Sequence, residues 1–230
     1  MLDFTPAEWE AVLLSLKVGL WGTLASLPVG FVLAYVLARL EFPLKSLVHG
    51  IVYLPLVLPP VVTGFFLLLL FGTRGPAGQF LQNVFGITIA FKWTGAALAA
   101  AIMGLPLMVR AMRLSIIAVD RRLETAARTL GASWWRAFFT VTLPLALPGV
   151  IAGAVLSFAK SFGEFGATIT FVSNIPGETR TLPIAIYSLL QAPDGEAAAL
   201  RLAALSVMVS LVAVLGAEVM ERRILSKSAS

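Results

Sequence analysis

Residues Ala11–Ala38 read AVLLSLKVGLWGTLASLPVGFVLAYVLA, and this stretch decides the fold class. It contains one charged residue, Lys17, and its apolar residues form a block rather than an amphipathic period. A helix needs about 20 apolar residues to cross the hydrocarbon core of a membrane. A transmembrane β-strand would alternate apolar and polar side chains, which this block does not do. We therefore predict a membrane-spanning helix here.

The same kind of block recurs further along the chain. The other long apolar runs are Val48–Phe71, Trp93–Met112, Leu145–Phe162 and Ala197–Met220. A sixth run, Leu182–Gln191, is too short to cross and predicts a half-helix, which membranes tolerate only inside protein or beside a water-filled path. We predict an all-α polytopic membrane protein in which residues 1–230 form one transmembrane domain. It has five full spans plus a short outer half-helix, which makes six if the half-helix is counted.

Composition agrees with a membrane protein and excludes several other classes. The chain is 59% hydrophobic and 13% charged, whereas soluble domains hold roughly 45–50% apolar and about 25% charged residues. There is no cysteine, which excludes disulfides and thiolate metal sites, and the single histidine, His49, supplies too few ligands for a metal. The net charge of +5 is typical of basic cytoplasmic loops and does not require a nucleic-acid partner.

Basic residues determine the predicted orientation, because cytoplasmic loops of membrane proteins carry an excess of Lys and Arg. With the N-terminus outside, the inner segments hold most of the basic side chains: Arg39, Lys45, Arg110, Arg113, Arg121, Arg122, Arg128, Arg136, Arg222, Arg223 and Lys227. The outer segments then hold acidic residues such as Glu8, Glu164 and Glu178. We predict a multi-pass protein with its N-terminus outside and its C-terminus inside.

The longest predicted cytoplasmic segment, Met112–Pro144, begins with the pattern of a short helix. Asp120 is a residue type that caps a helix start. Arg121–Leu130 follows as the helix, and Gly131 stands where a left-handed glycine ends one. This segment, about residues 113–144, is therefore expected to be a structured element.

A second short helix is predicted after Ser133, another capping residue, over Trp134–Thr140. Pro144 and Pro148 are expected to bend the entry into the next span, because proline disrupts the regular helical hydrogen bonds.

Ala126 and Ala127 lie among basic neighbours on the first of these helices. Small residues let another surface approach the backbone closely, as a helix docked in the groove of a second protein requires. A basic helix lying on anionic lipid has a similar composition. The residues alone leave both possibilities open.

The spacing within this loop resembles a known cytoplasmic motif. Permeases of bacterial ABC importers share Glu-Ala-Ala, three residues, Gly, nine residues and then Ile-x-Leu-Pro. This chain has Thr125-Ala126-Ala127, Gly131 and Val141-Thr142-Leu143-Pro144 at the same spacing, with Glu124 one place before the usual glutamate position. In such permeases the loop forms a coupling helix that docks on a separate ATP-hydrolysing subunit. The resemblance implies a coupling role for Glu124, Thr125, Ala126, Ala127, Gly131, Leu143 and Pro144.

Two further stretches resemble the molybdate permeases of the molybdate/sulfate importer group. They are LPLVLPPVVTG at residues 54–64 and SFGEFGATITF at residues 161–171, the second continuing into SNIPGETRT at 173–181. The resemblance implies a type I ABC importer permease of the bacterial cytoplasmic (inner) membrane that carries molybdate and also tungstate. It further implies a permease homodimer in contact with membrane lipid, two cytoplasmic ATP-binding subunits and an extracytoplasmic molybdate-binding protein. Sulfate or thiosulfate is an alternative cargo within the same group.

The same stretches supply candidate residues for the translocation path or its gate. Prolines free backbone carbonyls and kink a span, and hydroxyls offer hydrogen bonds without holding a dianion by full charge. The candidates are Pro59, Pro60, Ser161, Glu164, Thr168, Thr170 and Arg180. Structural alternatives stay open: a simple proline kink, hydroxyls bonded to their own helix, and an interfacial pair of Glu164 with Lys160. Arg180 can face either the anion or a partner protein.

No nucleotide-binding or catalytic motif is present in the sequence. A Gly-x-x-x-x-Gly-Lys-Ser/Thr run does not occur, and no recognisable catalytic set of side chains stands out. We predict that the chain is not an enzyme, binds no cofactor or metal, and depends on a separate ATPase for energy. An ion-coupled secondary transporter is the competing class. It would place carboxylates at mid-membrane, and the predicted spans hold almost none.

Overall fold

The computed structural model describes residues 4–228, and these are almost entirely helical. In chain order the helices are α1 (Pro6–Arg39), α2 (Lys45–Val57), α3 (Pro60–Phe71), α4 (Pro76–Phe85), α5 (Trp93–Ala118), α6 (Arg121–Thr129), α7 (Trp134–Ala137), α8 (Leu143–Phe162), α9 (Gly166–Val172), α10 (Leu182–Leu190) and α11 (Glu196–Ser228). A π-helical turn, Phe138–Thr142, joins α7 to α8. The predicted all-α class is confirmed.

Helices α1 and α5 pack closely because small residues bring their backbones together. A carbon added at Gly22 of α1 would lie 2.9 Å from the Ala97 carbonyl oxygen of α5, and one added at Gly30 would lie 2.7 Å from the Met108 sulfur. Residue numbers rise together along this contact, so α1 and α5 run in the same direction.

Helix α8 runs antiparallel to α5 and completes the centre of the bundle. Gly153, at the middle of α8, packs against Met108 of α5. Ser161, near the end of α8, donates a hydrogen bond of 3.0 Å to the Ala100 carbonyl near the start of α5. The contact therefore moves toward the start of α5 as α8 proceeds.

The segment Val48–Phe71, predicted as one span with a proline kink, consists of two helices that meet at a sharp bend. Helix α2 ends at Val57, α3 begins at Pro60, and the chain bends by 113° between them. Pro59 and Pro60 have no N–H to continue α2, but proline suits the first turn of a new helix. Because α1 and α5 are parallel, α2 to α4 lead the chain back from one end of the bundle to the other.

The number of spans follows from this bent pair. Among residues 4–228, four helical stretches are long and apolar enough to cross a membrane: Pro6–Arg39, Trp93–Ala118, Trp134–Phe162 and Glu196–Gly216. The bent pair makes five when it is taken as one crossing. The predicted half-helix is α10, which has 9 residues.

The two ends of the bundle carry different elements. At one end α1 and α11 begin together, and Arg201 of α11 forms an ion pair of 2.9 Å with Glu8 of α1. At the other end α1 finishes beside α6, where an Arg121 Nη2 donates to the Arg39 carbonyl at 3.1 Å. Basic residues therefore cluster at the α6 end of the bundle, which agrees with the predicted cytoplasmic location of that end. Which end faces the cytoplasm stays a prediction.

Candidate functional site

The loop between α5 and α8 begins with a short helix that is capped at both ends. Asp120 Oδ1 accepts a hydrogen bond of 2.9 Å from the Arg122 N–H and starts α6. At the other end Gly131 has a φ of +87°, a conformation that favours glycine. The Ala132 N–H donates to the Ala127 carbonyl at 3.0 Å. The predicted helix and its end signals are confirmed, with α6 ending one residue earlier than predicted.

The outer surface of α6 is small and basic. Thr125, Ala126 and Gly131 are exposed, and Leu130 is 89% exposed. The Thr125 hydroxyl donates to the Arg121 carbonyl of its own helix at 3.1 Å, so it adds little polarity to the surface. The exposed arginines of this helix are Arg121, Arg122 and Arg128. Such a surface allows a partner to approach the helix backbone closely.

The second half of the loop differs from the prediction. Ser133 caps α7 as predicted, accepting a hydrogen bond of 3.3 Å from the Arg136 N–H. However, α7 ends at Ala137, and the π turn replaces the expected helix up to Thr140. Pro144 has no N–H to donate to the Thr140 carbonyl, which disfavours a regular α-helical turn at this point.

The start of α8 holds the last two predicted coupling residues. Leu143 is half-buried and Pro144 is exposed. Trp134–Phe162 is one continuous helical stretch, so Pro144 and Pro148 do not break the entry into α8. Pro144 lies where the π turn meets α8, and Pro148 lies inside α8.

Glu124 points away from the exposed surface of α6. Its Oε1 accepts one hydrogen bond from Arg39 Nη2 and another from the Thr142 hydroxyl, each at 2.8 Å. The Glu124 side chain is 24% exposed and that of Arg39 is 7% exposed. Glu124 is predicted to act with Thr125 and Ala126, but its side chain faces α1 and the π turn, whereas those two residues are exposed. Arg39 and Thr142 were missed because neither lies near Glu124 in the sequence.

Another carboxylate, that of Glu41, lies in the loop between α1 and α2 and can be compared with Glu124. Its Oε1 accepts a hydrogen bond of 2.8 Å from Lys45 Nζ. This hydrogen bond and the Lys45 charge lower the pKa of Glu41. The Glu41 side chain is 85% exposed and that of Lys45 is 22% exposed, so water reaches the carboxylate freely.

The two stretches that carry the molybdate-permease resemblance meet in the structure, as α3 and α9. A carbon added at Gly64 of α3 would lie 2.5 Å from the Ala167 carbonyl oxygen of α9. One added at Gly166 would lie 2.8 Å from Pro60 Cβ. The break between α2 and α3, at Pro59, therefore lies beside the break between α8 and α9. Irregular backbone at membrane depth is tolerated only where it is buried in protein or lines a cavity.

Glu164 lies at this junction and is 2% exposed. Its Oε2 accepts a hydrogen bond of 2.7 Å from Lys160 Nζ, and its Oε1 accepts one of 3.0 Å from the Ala167 N–H in the first turn of α9. The ion pair between Lys160 and Glu164, one of the alternatives left open by the sequence, is thus present. Its carboxylate is buried, whereas the Lys160 side chain is 30% exposed.

Two of the candidate hydroxyls near this junction donate hydrogen bonds within the chain. Ser161 donates to the Ala100 carbonyl of α5, and Thr170 donates to the Gly166 carbonyl of its own helix at 2.8 Å. Thr168 is 1% exposed. Their predicted role along a path stays a prediction.

Arg180 lies in the loop before α10. Its Nε donates a hydrogen bond of 2.8 Å to Asn174 Oδ1. With Glu8, Ser188 and Arg201 it lines a pocket of ≈ 300 Å³. This places Arg180 among α1, α10 and α11, at the end of the bundle where α1 begins.

Comparison with known proteins identifies the family. Residues 26–226 match the family described as "Binding-protein-dependent transport system inner membrane component". The chain belongs to this family. The molybdenum transport system permease protein ModB of Escherichia coli (strain K12) is 58% identical over 218 residues, covering 95% of each chain. ModB of Haemophilus influenzae is 51% identical over 220 residues, covering 96% of each chain.

A solved structure confirms the predicted fold of this transport-system component. A chain of a bacterial alginate ABC transporter, solved with an alginate pentasaccharide-bound periplasmic protein, matches with a TM-score of 0.75. It is 19% identical and is aligned over 97% of this chain and 81% of that chain. The chain described here thus has the fold of an ABC importer permease and is a multi-pass protein of the inner membrane.

Proposed function

We propose that this chain is the permease subunit of an ATP-driven importer that carries molybdate, and also tungstate, across the inner membrane. The observation that carries the proposal is the 58% identity to the E. coli molybdenum transport permease over 95% of both chains. Sulfate or thiosulfate is the alternative cargo within the same importer class. Ion-coupled secondary transport has less support because the fold is that of ABC importer permeases.

We infer that the working assembly contains two copies of this chain, two cytoplasmic ATP-binding subunits and an extracytoplasmic molybdate-binding protein. The exposure of α6 supports the contact with the ATPase. Thr125 and Ala126 of the helix, with Gly131 just after it, form a surface of small side chains that a partner can approach closely. Arg122 and Arg128 can make contacts at the rim of such an interface. ATP hydrolysis belongs to the separate subunit, because this sequence has no P-loop.

The proposed orientation places the start of α1 outside and α6 inside. It is supported by the basic residues near α6, which cytoplasmic loops favour. The exposed apolar faces of the long helices contact membrane lipid. Arg180, at the outer end in this orientation, is suited to attract an anion that arrives there.

We propose that the junction of α3 and α9 is part of the path or its gate. Pro59 and Pro60 create the break in one helix pair, and Gly166 lets the two breaks lie together. Glu164 would repel a dianion, and it is neutralised by Lys160, so its role is to hold the first turn of α9. Ser161, Thr168 and Thr170 supply hydroxyls near the junction. Ser161 and Thr170 would have to exchange their present hydrogen bonds to reach an anion.

In this mechanism the ATP-binding subunits drive the switch between two states. ATP brings the two subunits together and moves the two α6 helices, and the spans change from inward-facing to outward-facing. Such a switch requires that ATP favour one state over the other.

The test is ATP hydrolysis in proteoliposomes that hold the chain, its ATP-binding subunit and its binding protein, with molybdate, tungstate or sulfate added in turn. Stimulation by molybdate and tungstate but not by sulfate is expected. A Gly131→Arg variant, which places a long side chain on the docking surface, should lose the stimulation. Stimulation by sulfate alone would replace the proposed cargo. Failure of the three proteins to assemble would contradict the proposed coupling role of α6.

A further inference from the structure

We propose that Glu124 is a positioning residue that ties α6 to the end of α1 and to the π turn before α8. This inference rests on the proposed function, because such a tie affects transport only if a partner moves α6. It replaces the expectation that Glu124 itself contacts the ATP-binding subunit.

One carboxylate oxygen joins several elements. Glu124 Oε1 accepts hydrogen bonds from Arg39, the last residue of α1, and from Thr142, the last residue of the π turn. The same Arg39 Nη2 also donates to the carbonyl of Val119, just after α5, at 3.1 Å. Parts of α1, α5, α6 and the π turn therefore meet around one ion pair.

Neighbouring contacts strengthen this tie. Arg121 of α6 donates to the Arg39 carbonyl, so α6 and α1 are joined by two bonds in opposite directions. One turn earlier on α1, Tyr35 packs edge-on against Trp134 and Phe138, with ring centroids 6.3 Å and 5.6 Å away. Both halves of the loop are thus fastened to the same end of α1.

The burial of Arg39 explains why Glu124 stays inside. The Arg39 side chain is 7% exposed, and a buried guanidinium is costly unless a carboxylate neutralises it. Its Nε is buried without a hydrogen-bond partner, so the contacts through Nη2 are especially important. Turning Glu124 outward to a partner subunit would leave Arg39 unpaired. The exposed residues Thr125 and Ala126 can contact a partner at no such cost.

The π turn places Thr142 within reach of Glu124. A π turn adds one residue to the helix, which rotates the preceding part by about 100° relative to the part that follows. Helix α8 can therefore keep its small residues against α5 while Thr142, 1% exposed, faces α6. π turns of this kind are frequent at functional sites.

The consequence is that a displacement of α6 reaches α1 and α8 through a continuous set of hydrogen bonds. A physical network of packed and bonded groups is the means by which distant sites in a protein are coupled. Without the Glu124 tie, α6 could still dock on a partner but would move more independently of the spans.

The experiment uses the complete complex in proteoliposomes and compares four variants: Glu124→Ala, Arg39→Met, the charge exchange Arg39→Glu with Glu124→Arg, and Thr142→Val. Glu41→Gln is the matched control, since it removes an exposed carboxylate–lysine pair near the same end of the bundle. Three quantities are measured: the ATP-binding subunit retained, the molybdate taken up per ATP hydrolysed, and the hydrogen exchange of the α6 amides.

For Glu124→Ala and Arg39→Met we expect normal retention of the ATP-binding subunit, uptake per ATP lowered about tenfold, and faster exchange in α6. The charge exchange should recover part of the uptake ratio, and Thr142→Val should lower it less. Glu41→Gln should match the wild-type protein in all three measurements.

Two results would overturn the inference. If Glu124→Ala releases the ATP-binding subunit while Arg39→Met retains it, Glu124 is a docking contact instead. If Glu124→Ala leaves the uptake ratio and the α6 exchange unchanged, the tie has no function. A wild-type complex that assembles without taking up any anion would refute the proposed cargo, and the exchange measurement would then still decide whether Glu124 holds α6.

Discussion

Glu124 and Glu164 lie at opposite ends of the bundle, and each carboxylate accepts two hydrogen bonds. The partners of Glu164 lie 4 residues before it and 3 residues after it. The side-chain partners of Glu124 lie 85 and 18 residues away. Glu164 therefore holds one local turn, whereas Glu124 joins separate parts of the chain. The comparison shows that similar bonding can have a local purpose at one site and a long-range purpose at another.

Burial also separates the two carboxylates. The side chain of Glu164 is 1% exposed and that of Glu124 is 24% exposed. Their partners are buried in the opposite order, because the Arg39 side chain is 7% exposed and that of Lys160 is 30% exposed. Water can therefore solvate an unpaired Lys160 better than an unpaired Arg39, so the loss of Glu124 should cost more stability than the loss of Glu164.

The largest expected effect is that of Glu124→Ala. This change leaves the buried Arg39 guanidinium without its counter-charge and the Thr142 hydroxyl without its acceptor, at a cost of about 3–5 kcal/mol. Glu164→Ala should cost less, about 1–3 kcal/mol, because Lys160 is partly exposed and can turn toward water. The measurement is denaturant unfolding of both variants in the same detergent, with Glu164→Gln as a milder control. Equal losses at the two sites would remove the proposed distinction.

The next effect concerns the contact that the Glu164 turn positions. Gly64→Ala places a carbon 2.5 Å from the Ala167 carbonyl oxygen, and such overpacking costs about 1–3 kcal/mol. Gly50→Ala is the control, since an added carbon there meets nothing within 4 Å. That change should be neutral or stabilise α2 by about 0.5–1 kcal/mol. If thermal unfolding in detergent shows equal stability for the two variants, the contact between α3 and α9 is looser than described.

A smaller effect is expected at the end of α6. Gly131→Ala forces alanine into the left-handed region at a φ of +87°, which costs about 1–2 kcal/mol. Gly86→Ala carries the same kind of strain, with a φ of +66° at the end of α4. Both variants should lose similar stability, but only Gly131→Ala should speed hydrogen exchange in α6. Faster α6 exchange in both would show that the effect is not local.

The smallest effect is that of Glu41, a carboxylate that is neither buried nor linked to a distant element. Lys45 lowers its pKa, so its contribution to stability is present above the unfolded-state pKa and is lost as the pH falls through the lower folded-state value. Because the pair is exposed, Glu41→Gln should leave the unfolding temperature unchanged from neutral pH down to about pH 4. A clear dependence on Glu41 would contradict the expectation that an exposed carboxylate in an ion pair contributes little to stability.

Structural features that depend on residues close together in the chain could be predicted from the sequence. Asp120, Ser133 and Gly131 predicted the ends of the loop helices, and adjacent prolines predicted a kinked second span. The pairing of Lys160 with Glu164 could be considered because the residues lie one turn apart. The burial of Glu164 could not be predicted, since it depends on how α3 and α9 pack.

Other features of the site depended on distant parts of the chain. The Thr142 hydroxyl bonds to Glu124 only because a π turn replaces the regular helix, and Ser161 bonds to α5 instead of its own helix. Arg39 was predicted only as a basic residue near a helix end. Its partner could not be chosen from the sequence, because several acidic and basic residues compete within these loops.

The sequence by itself determined the membrane-spanning class, the positions of the long apolar helices and the capping residues of the loop between α5 and α8. These follow from hydrophobic length and from hydrogen bonds between near neighbours, which depend little on the rest of the fold. Only the tertiary structure decided that α1 and α5 run parallel, that the two helix breaks lie side by side, and that Glu124 faces Arg39. Those features arise from the close packing of small residues and from the need to pair a buried charge, and both depend on groups that the chain brings together only when it folds.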